Sequence, residues 1–470
     1  SEGGEKVIAQ LDTKSVYTFM ESLVTIKDYV QVAKSMGYNA LGIMDVDNLY
    51  GAYELIEVCQ SHNITPLVGL EVELKLDNEM IPFRMLALST KGYQNLMKIS
   101  TVKMMGKSNW EDVKHLTEGL AVIVPAPFAS RDLPLDLDYF IGVFADTPNQ
   151  EFSHPVIPLH TVRFFEAGDV EAMQMLAAIK DNQSLTETGP IDPTTVLKTP
   201  QDLKNDFAER FPQALTNLEK LVQGIQYDID TQLKLPRFNP QKPAVEELRE
   251  LAQAGLLRKN LTSPVYQERL EYELDIIHQM GFDDYFLIVW DLLRFGRSQG
   301  YYMGMGRGSA VGSLVAYSLG ITGIDPVEKN LLFERFLNVE RYTMPDIDID
   351  IPDIYRPEFI RYVRDRYGSY HAAQIVTFST FGAKQAIRDV FKRFGVPEYE
   401  LTSITKRIGF RDTLTTAYEQ NLAFRQVIHS RAEFERGFEI AKRIEGQPRQ
   451  TSIHAAGVVM SDQDLTDHIP

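Results

Sequence analysis

The stretch MPDIDIDIPD, residues 344–353, alternates carboxylate and apolar side chains. In an extended segment alternate side chains share a face, so Asp346, Asp348 and Asp350 point one way and Ile347, Ile349 and Ile351 the other. The isoleucines can bury against a core, but the aspartates cannot ionise side by side unless water or a cation offsets their repulsion. Same-face carboxylates lie roughly 6.5–7 Å apart along a strand, within reach of one or two shared hard divalent ions. A helix–loop–helix calcium loop also begins D-x-D-x-D. It then requires glycine and glutamate where this chain has Ile351 and Pro357, so that reading fails. An exposed strand with a solvated acidic face would give the same pattern.

Upstream lies YYMGMGRGSAVGSLVAYSLG, residues 301–320. Gly304, Gly306 and Gly308 let backbone approach a ligand, and Ser309 is placed to cap the apolar helix that follows. A helix start with free N–H groups and a hydroxyl is a seat for phosphate. The stretch is not a Walker A loop, which needs lysine before Ser/Thr, nor a dinucleotide G-x-G-x-x-G, which needs glycine at Val311. Between turn and acidic strand, LLFERFLNVERYTMPD supplies Arg335 and Arg341. Carboxylates for metal, backbone amides for phosphate and arginines for a polyphosphate form the set that metal-dependent nucleotidyl transfer demands. Taken singly, the turn is also explained as a plain helix entry, and Arg335 as a surface ion-pair partner.

The 470 residues carry a formal charge of −17, unevenly spread. From Arg356 to Gln450 there are 17 Lys+Arg against 11 Asp+Glu, which makes a basic segment inside an acidic chain. Such a segment is a candidate polyanion patch, although a solvated helical surface gives the same count. Cys59 is the single cysteine, which excludes a disulfide framework and any zinc site of several thiolates. The N-terminal SEGGEKVIAQ has no apolar signal core and its first residues look like an engineered remnant, and no apolar run is long enough to span a bilayer. A soluble, cytoplasmic protein without a membrane partner is expected.

The first two hundred residues alternate strand-like and helix-like patterns. IKDYVQVAKSM (26–36) has helical apolar spacing with Gly37 as a stop, followed by strand-like ALGIMDV, helical YGAYELIEVCQSH and strand-like PLVGLEVEL. MLAL, LAVIV and YFIGVF are later strand candidates. The pattern predicts a mainly parallel α/β layer or barrel with its site at the carboxyl ends of the strands. LPRFNPQKPAVEE (235–247) is proline-rich and predicts a linker. Residues 244–300 are largely helical in pattern, as is the basic stretch from about Phe378 to Glu445. No internal repeat or low-complexity tract occurs.

With these motifs in place, MGRGSAVGSLVAYSLGITGIDPVEKNLLFERFLNVERYTMPDIDIDIPD (305–353) closely resembles the palm of the C-family replicative DNA polymerases, the bacterial DNA polymerase III alpha subunits. IVTFSTFGAKQAIRDV (375–390) and HAAGVVMS (from His454) extend the likeness. AKSMGYNALGIMDVDNLYGAYELIEVCQSHNITPLVGLEVEL (33–74) resembles the family's polymerase-and-histidinol-phosphatase (PHP) domain. No inserted exonuclease is present, as in the shorter of the two family forms. The resemblance implies an α/β chain with a PHP-type (β/α) barrel-like domain at 1–235 and a nucleotidyltransferase-like (polymerase beta-like) palm at 236–377. A helical basic thumb at 378–450 and a return into the palm at 451–470 complete the expectation.

It further implies that Asp346 and Asp348 are catalytic carboxylates binding two Mg²⁺ ions, with Asp350 a neighbour. Gly308, Ser309 and Arg335 match positions holding the triphosphate of a deoxynucleoside triphosphate, with Arg341 close by. Lys384, Arg388, Lys392 and Arg393, spaced helically in the thumb, would hold the backbone of primer–template DNA without regard to sequence. A sliding clamp and other replisome proteins are implied partners through segments not in this chain.

Two departures accompany the likeness. The family's third carboxylate follows the HAAGVV region, and this chain stops at Asp467-His468-Ile469-Pro470, so an N-terminal fragment inactive by itself is expected. In the PHP-like part, the metal-binding H-x-H-x-H string corresponds to Gln10, Asp12 and Lys14. Further ligand positions hold Met44-Asp45-Val46, His160-Thr161-Val162-Arg163 and Met173, and only Glu71 is retained. No metal and no 3′→5′ proofreading are expected there, because ligation needs several convergent donors and Lys14 adds a repelling charge. His62, His115, His154 and His160 are read as surface or satisfied core residues. The competing readings are a PHP-type metal-dependent phosphoesterase, a template-independent nucleotidyltransferase and a non-catalytic interaction module.

Overall fold

A computed structural model describes residues 5–230, 235–341, 344–369, 371–461 and 463–469, with only the backbone of 454–458. The HAAGVVMS stretch therefore lies largely outside the described side chains. The chain divides into two compact units, Ser1–Asp230 with Ile375–Ala455 and Thr466–Pro470, and Thr231–Gln374 with Ala456–Leu465.

The first unit is built on a seven-stranded sheet in sequential order: β1 (Ala9–Gln10), β2 (Ala40–Val46), β3 (Thr65–Leu76), β4 (Glu79–Ala87), β5 (Leu120–Pro125), β6 (Phe140–Val143) and β7 (Val156–Pro158). ALGIMDV forms β2, a nearly continuous buried run of the kind that strands covered on both faces require. Helix Ile26–Met36 ends at Gly37, whose φ of 107° only glycine adopts without strain. The β1–β2–β3 and β5–β6–β7 pairings are parallel, but β4 runs antiparallel to both neighbours. Four of the six pairings are parallel, in line with the mainly parallel expectation, and the antiparallel exception has a local cause. Asp77 and Asn78 both have positive φ, the two-residue hairpin geometry that returns the chain at once and leaves no crossover helix. β7 was not evident in the sequence, being only Val156–Pro158 with Pro155 before it.

Beyond β1 and β7 the sheet's two edges meet. Thr13 bridges Val162 in parallel, the Lys14 N–H donates to Val162 C=O (2.9 Å) and the Val162 N–H to Asp12 C=O (3.0 Å). This closure gathers Asp12, Lys14 and Thr161 at one end.

The basic segment from Ile375 onward belongs to the same unit. Helices Ala383–Arg393, Glu398–Thr405, Leu414–Gln420, Leu422–Ile428 and Ala432–Ile444 follow β8 (Ala372–Thr380), which pairs with β9 (Pro448–Met460) in a separate two-stranded sheet. Phe391 stacks on Phe434 at 4.9 Å, and both share a core with Met173, Leu176 and Ile179 of helix Val170–Asp181.

The second unit is mainly helical. Helices Ala244–Arg258, Pro264–Met280 and Asp283–Ser298 follow the proline-rich stretch, and Leu314–Ser318 and Arg356–Tyr367 come after the glycine turn. Ile347, Ile349 and Ile351 pack on its core. No helix among the described residues is long and apolar enough to cross a membrane.

Candidate active site

The acidic stretch realises the expected alternation, with Asp346, Asp348 and Asp350 exposed and the three isoleucines half-buried. It does so without a strand ladder: the segment is extended and held by one antiparallel bridge, Asp348 to Arg307. Its partner is a glycine turn, which is too curved to continue a ladder. The same two segments meet again where the Gly304 N–H donates to Asp350 C=O (3.2 Å) and Arg307 Nη2 donates to Asp350 Oδ1 (2.9 Å). A Cβ on Gly304 would lie 2.7 Å from the Asp350 Cβ, so glycine is needed for this approach. On the other side the Ile347 N–H donates to the Tyr285 hydroxyl (3.1 Å). Burial, reinforced by the nearby charges of Asp346 and Asp348, raises the pKa of that phenol.

Asp346 and Asp348 have no side-chain hydrogen bond or ion pair among the described residues. They are hard oxygen donors on one face, the chemistry a divalent ion accepts. No third His, Cys, Asp or Glu joins them to make a set of three among the described residues. Asp350 is engaged with Arg307 instead.

Gly308 has φ +74° and opens a 3₁₀ turn, Gly308–Gly312, on which Ser309 stands exposed. Ser309 does not cap the following helix. Ser313 does, accepting from the Ala316 N–H, because the 3₁₀ turn delays the helix start. Nor is that helix start open to phosphate. The carboxylate of Glu273 accepts the Leu314 N–H (2.8 Å), the Val315 N–H (3.1 Å) and the Ser313 hydroxyl (2.9 Å). Burial pushes the Glu273 carboxyl up, against those N–H groups and Arg269. Within the Gly304–Ser309 turn the Gly304 and Gly306 N–H groups are taken by the Asp350 and Ile321 C=O groups, so a phosphate cradle there rests on Gly308 and Ser309.

Arg335 ends a 3₁₀ turn, Phe333–Arg335, packed against the glycine turn, and is exposed without an ion pair among the described residues. Arg341, also exposed, is bridged through its backbone to Asn338 and has no described contact with the other candidates. Sequence reasoning missed Arg269, Glu273 and Arg307. Glu273 had left a signal: it interrupts the apolar stripe Leu270, Leu274, Ile277 one turn after an arginine.

The four basic candidates of the first unit separate into two kinds. Arg388 pairs with Glu398 (2.6 Å), and Arg393 donates to Gln183 C=O and Asn182 Oδ1, both at 3.0 Å. Lys384 and Lys392 are exposed and make no ion pair among the described residues.

In the PHP-like region a buried charge network stands where a metal cluster was weighed. Lys14 Nζ lies 2.8 Å from Asp12 Oδ1 and 3.0 Å from Glu71 Oε1, and donates to Met44 C=O (2.5 Å). Arg84, unremarked in the sequence, faces Glu71 across the β3–β4 pair and reaches it at 3.0 Å. Burial alone would raise the Asp12 pKa, but Lys14, Arg84 and a hydrogen bond from Thr161 hold it well below the carboxylate range. Asp45 accepts from the Ser15 N–H and hydroxyl and from Thr18, yet burial keeps its pKa raised. Gln10 donates to His160 C=O (2.8 Å), and Met173 sits in the helical core.

Comparison with known proteins adds the likeness in sequence. Residues 245–470 match the family described as bacterial DNA polymerase III alpha NTPase domain, and residues 10–146 match the PHP domain. A Streptococcus pyogenes protein named DNA polymerase III subunit alpha is 60% identical over 99% of this chain, and one from Bacillus subtilis is 36% identical over 98%. The chain spans 45% of the length of each of these relatives. Matched at this identity along nearly its whole length, with a PHP match ahead of the NTPase-type match, the chain is similar throughout to part of the bacterial DNA polymerase III alpha subunits.

Proposed function

We propose that the protein to which this chain belongs is a template-directed DNA polymerase of the bacterial cytoplasm, the catalytic subunit of replication. The observation that supports this most is the seating of the Gly304–Ser309 turn against Asp348 through the Arg307 bridge. It brings the chain at Gly308 and Ser309, just after Arg307, near Asp348, which supports pairing backbone donors there with the carboxylates that nucleotidyl transfer needs. In the reaction a primer 3′-hydroxyl attacks the α-phosphorus of a deoxynucleoside triphosphate, forming a phosphodiester and releasing pyrophosphate. Asp346 and Asp348 would hold divalent metal, Mg²⁺ by preference for carboxylate and phosphate oxygen, which neutralises charge on the transferred group when bound. Gly308 and Ser309 contribute backbone N–H and hydroxyl donors to the triphosphate, and Arg335 contributes a cation. Arg341 stands further from this set and has the weaker case. Primer–template DNA is the partner of Lys384 and Lys392, and clamp and other replisome contacts would lie in the rest of the protein.

The test is primer extension by the full-length protein with Mg²⁺. Asp346→Asn and Asp348→Asn should each lower extension at least about a thousandfold while duplex binding stays within about twofold. Substantial extension by either variant defeats the assignment. A PHP-type phosphoesterase is not favoured, because Lys14 and Arg84 fill the polar end of the sheet with cations.

A further inference from the structure

Arg269 and Glu273 lie one turn apart on helix Pro264–Met280, on the face that carries Leu270, Leu274 and Ile277 into the core. Glu273 is fully buried, and both of its oxygens are saturated. Oε1 accepts the Ser313 hydroxyl and the Val315 N–H, and Oε2 accepts the Leu314 N–H and Arg269 Nε (2.6 Å). A buried carboxylate is tolerated only with this degree of pairing, so its partners are fixed.

The other end of the arginine reaches two separate pieces of chain. Nη2 donates to Gly312 C=O (2.7 Å) and to Leu331 C=O (3.0 Å). Gly312 closes the glycine turn, and Leu331 begins the segment that ends in Arg335. The two pieces touch at this point, since a Cβ on Gly312 would lie 2.6 Å from Leu332 C=O. One planar cation therefore joins the phosphate-cradle turn to the Arg335 segment, and one buried carboxylate holds that cation and the chain just after the turn.

We propose that the Arg269–Glu273 pair is a positioning device for nucleotide binding, setting the separation between the Gly304–Gly312 turn and Arg335 so that one triphosphate meets both. The proposal rests on the polymerase reading of the site. Neither residue touches substrate. Arginine is required because its fork can serve Glu273 and both carbonyls together, whereas lysine offers the same charge from a single point.

The experiment uses the full-length protein carrying Arg269→Lys or, separately, Ser313→Ala, which leaves the arginine fork intact and removes one hydrogen bond to Glu273 together with the cap on the Ala316 N–H. Equilibrium binding of dATP, binding of a primer–template duplex and thermal unfolding are measured on each. Arg269→Lys should weaken dATP binding roughly tenfold and Ser313→Ala about threefold, with duplex affinity within about twofold. Unchanged dATP affinity in Arg269→Lys overturns the proposal. So does a parallel loss of dATP and duplex binding, the mark of a merely structural pair. If Arg269→Lys does not fold, Ser313→Ala decides by the same comparison. Primer extension by the unsubstituted protein is read separately. dATP binding that depends on Arg269 in a protein unable to extend primers refutes the polymerase reading and leaves the positioning role standing. Absence of dATP binding by the unsubstituted protein ends both.

Discussion

Lys14 Nζ and Glu71 Oε1 stand 3.0 Å apart at the closed end of the sheet, the ammonium fully buried and also 2.8 Å from Asp12. A metal-binding PHP site needs several lone pairs converging on one point. Here a cation carried by the chain itself stands among the acids, and Arg84 balances the second carboxylate charge. Removing a single member of a buried ion network is costly because it leaves an uncompensated charge. Lys14→Met should therefore destabilise the protein by about 3–5 kcal/mol in urea unfolding. A loss under about 1 kcal/mol would show that the network is not needed for the fold.

The basic helix calls for a comparison within itself. Lys384 and Lys392 are exposed and make no ion pair among the described residues, while Arg393 is bound to the end of helix Val170–Asp181. Lys384→Ala and Lys392→Ala in the full-length protein should each weaken duplex binding and reduce its salt slope by about 1. Arg393→Ala should instead lower the thermal midpoint and leave the slope unchanged. A larger slope change from Arg393 than from the lysines would reverse this division.

Arg335 allows a kinetic test of the cradle. Its guanidinium is exposed and uncommitted among the described residues, so removal costs little in folding. Arg335→Ala should raise the KM for nucleotide roughly tenfold, because a cation held for a triphosphate contributes on that scale. Arg341→Ala should have the smaller effect, and equal effects would merge the two roles.

What the sequence disclosed and what it hid follow the range of the interactions. ALGIMDV and the stop at Gly37 were legible because apolar runs and left-handed caps are local signals. The acidic alternation was legible for the same reason. The antiparallel turn of β4 was also local, in Asp77-Asn78, but reading MLAL alone passed over it. The capping role given to Ser309 failed because Ser313 offers the same side chain a turn later, and only the 3₁₀ geometry chooses between them. Glu273 left a signal in its apolar stripe, but neither it nor Arg84 nor Arg307 could be given a partner. Their partners at Ser313, Glu71 and Asp350 are distant in sequence and brought close only by folding.

His160 supplies a pH test of the first unit. Burial lowers its pKa, and Lys198 adds to this, against the hydrogen bond it donates to Val196 C=O (2.7 Å) and the charges of Asp206 and Asp12. The folded protein thus binds this proton less readily than the unfolded chain, whose histidine titrates near 6.5. Its contribution to stability is complete above that value and is lost as pH falls through it toward the lowered folded value. Between pH 7.5 and 5.5 the unsubstituted protein should lose more stability than His160→Gln, which keeps a donor for Val196. Parallel curves for the two proteins would show that the imidazole is not held neutral by its surroundings.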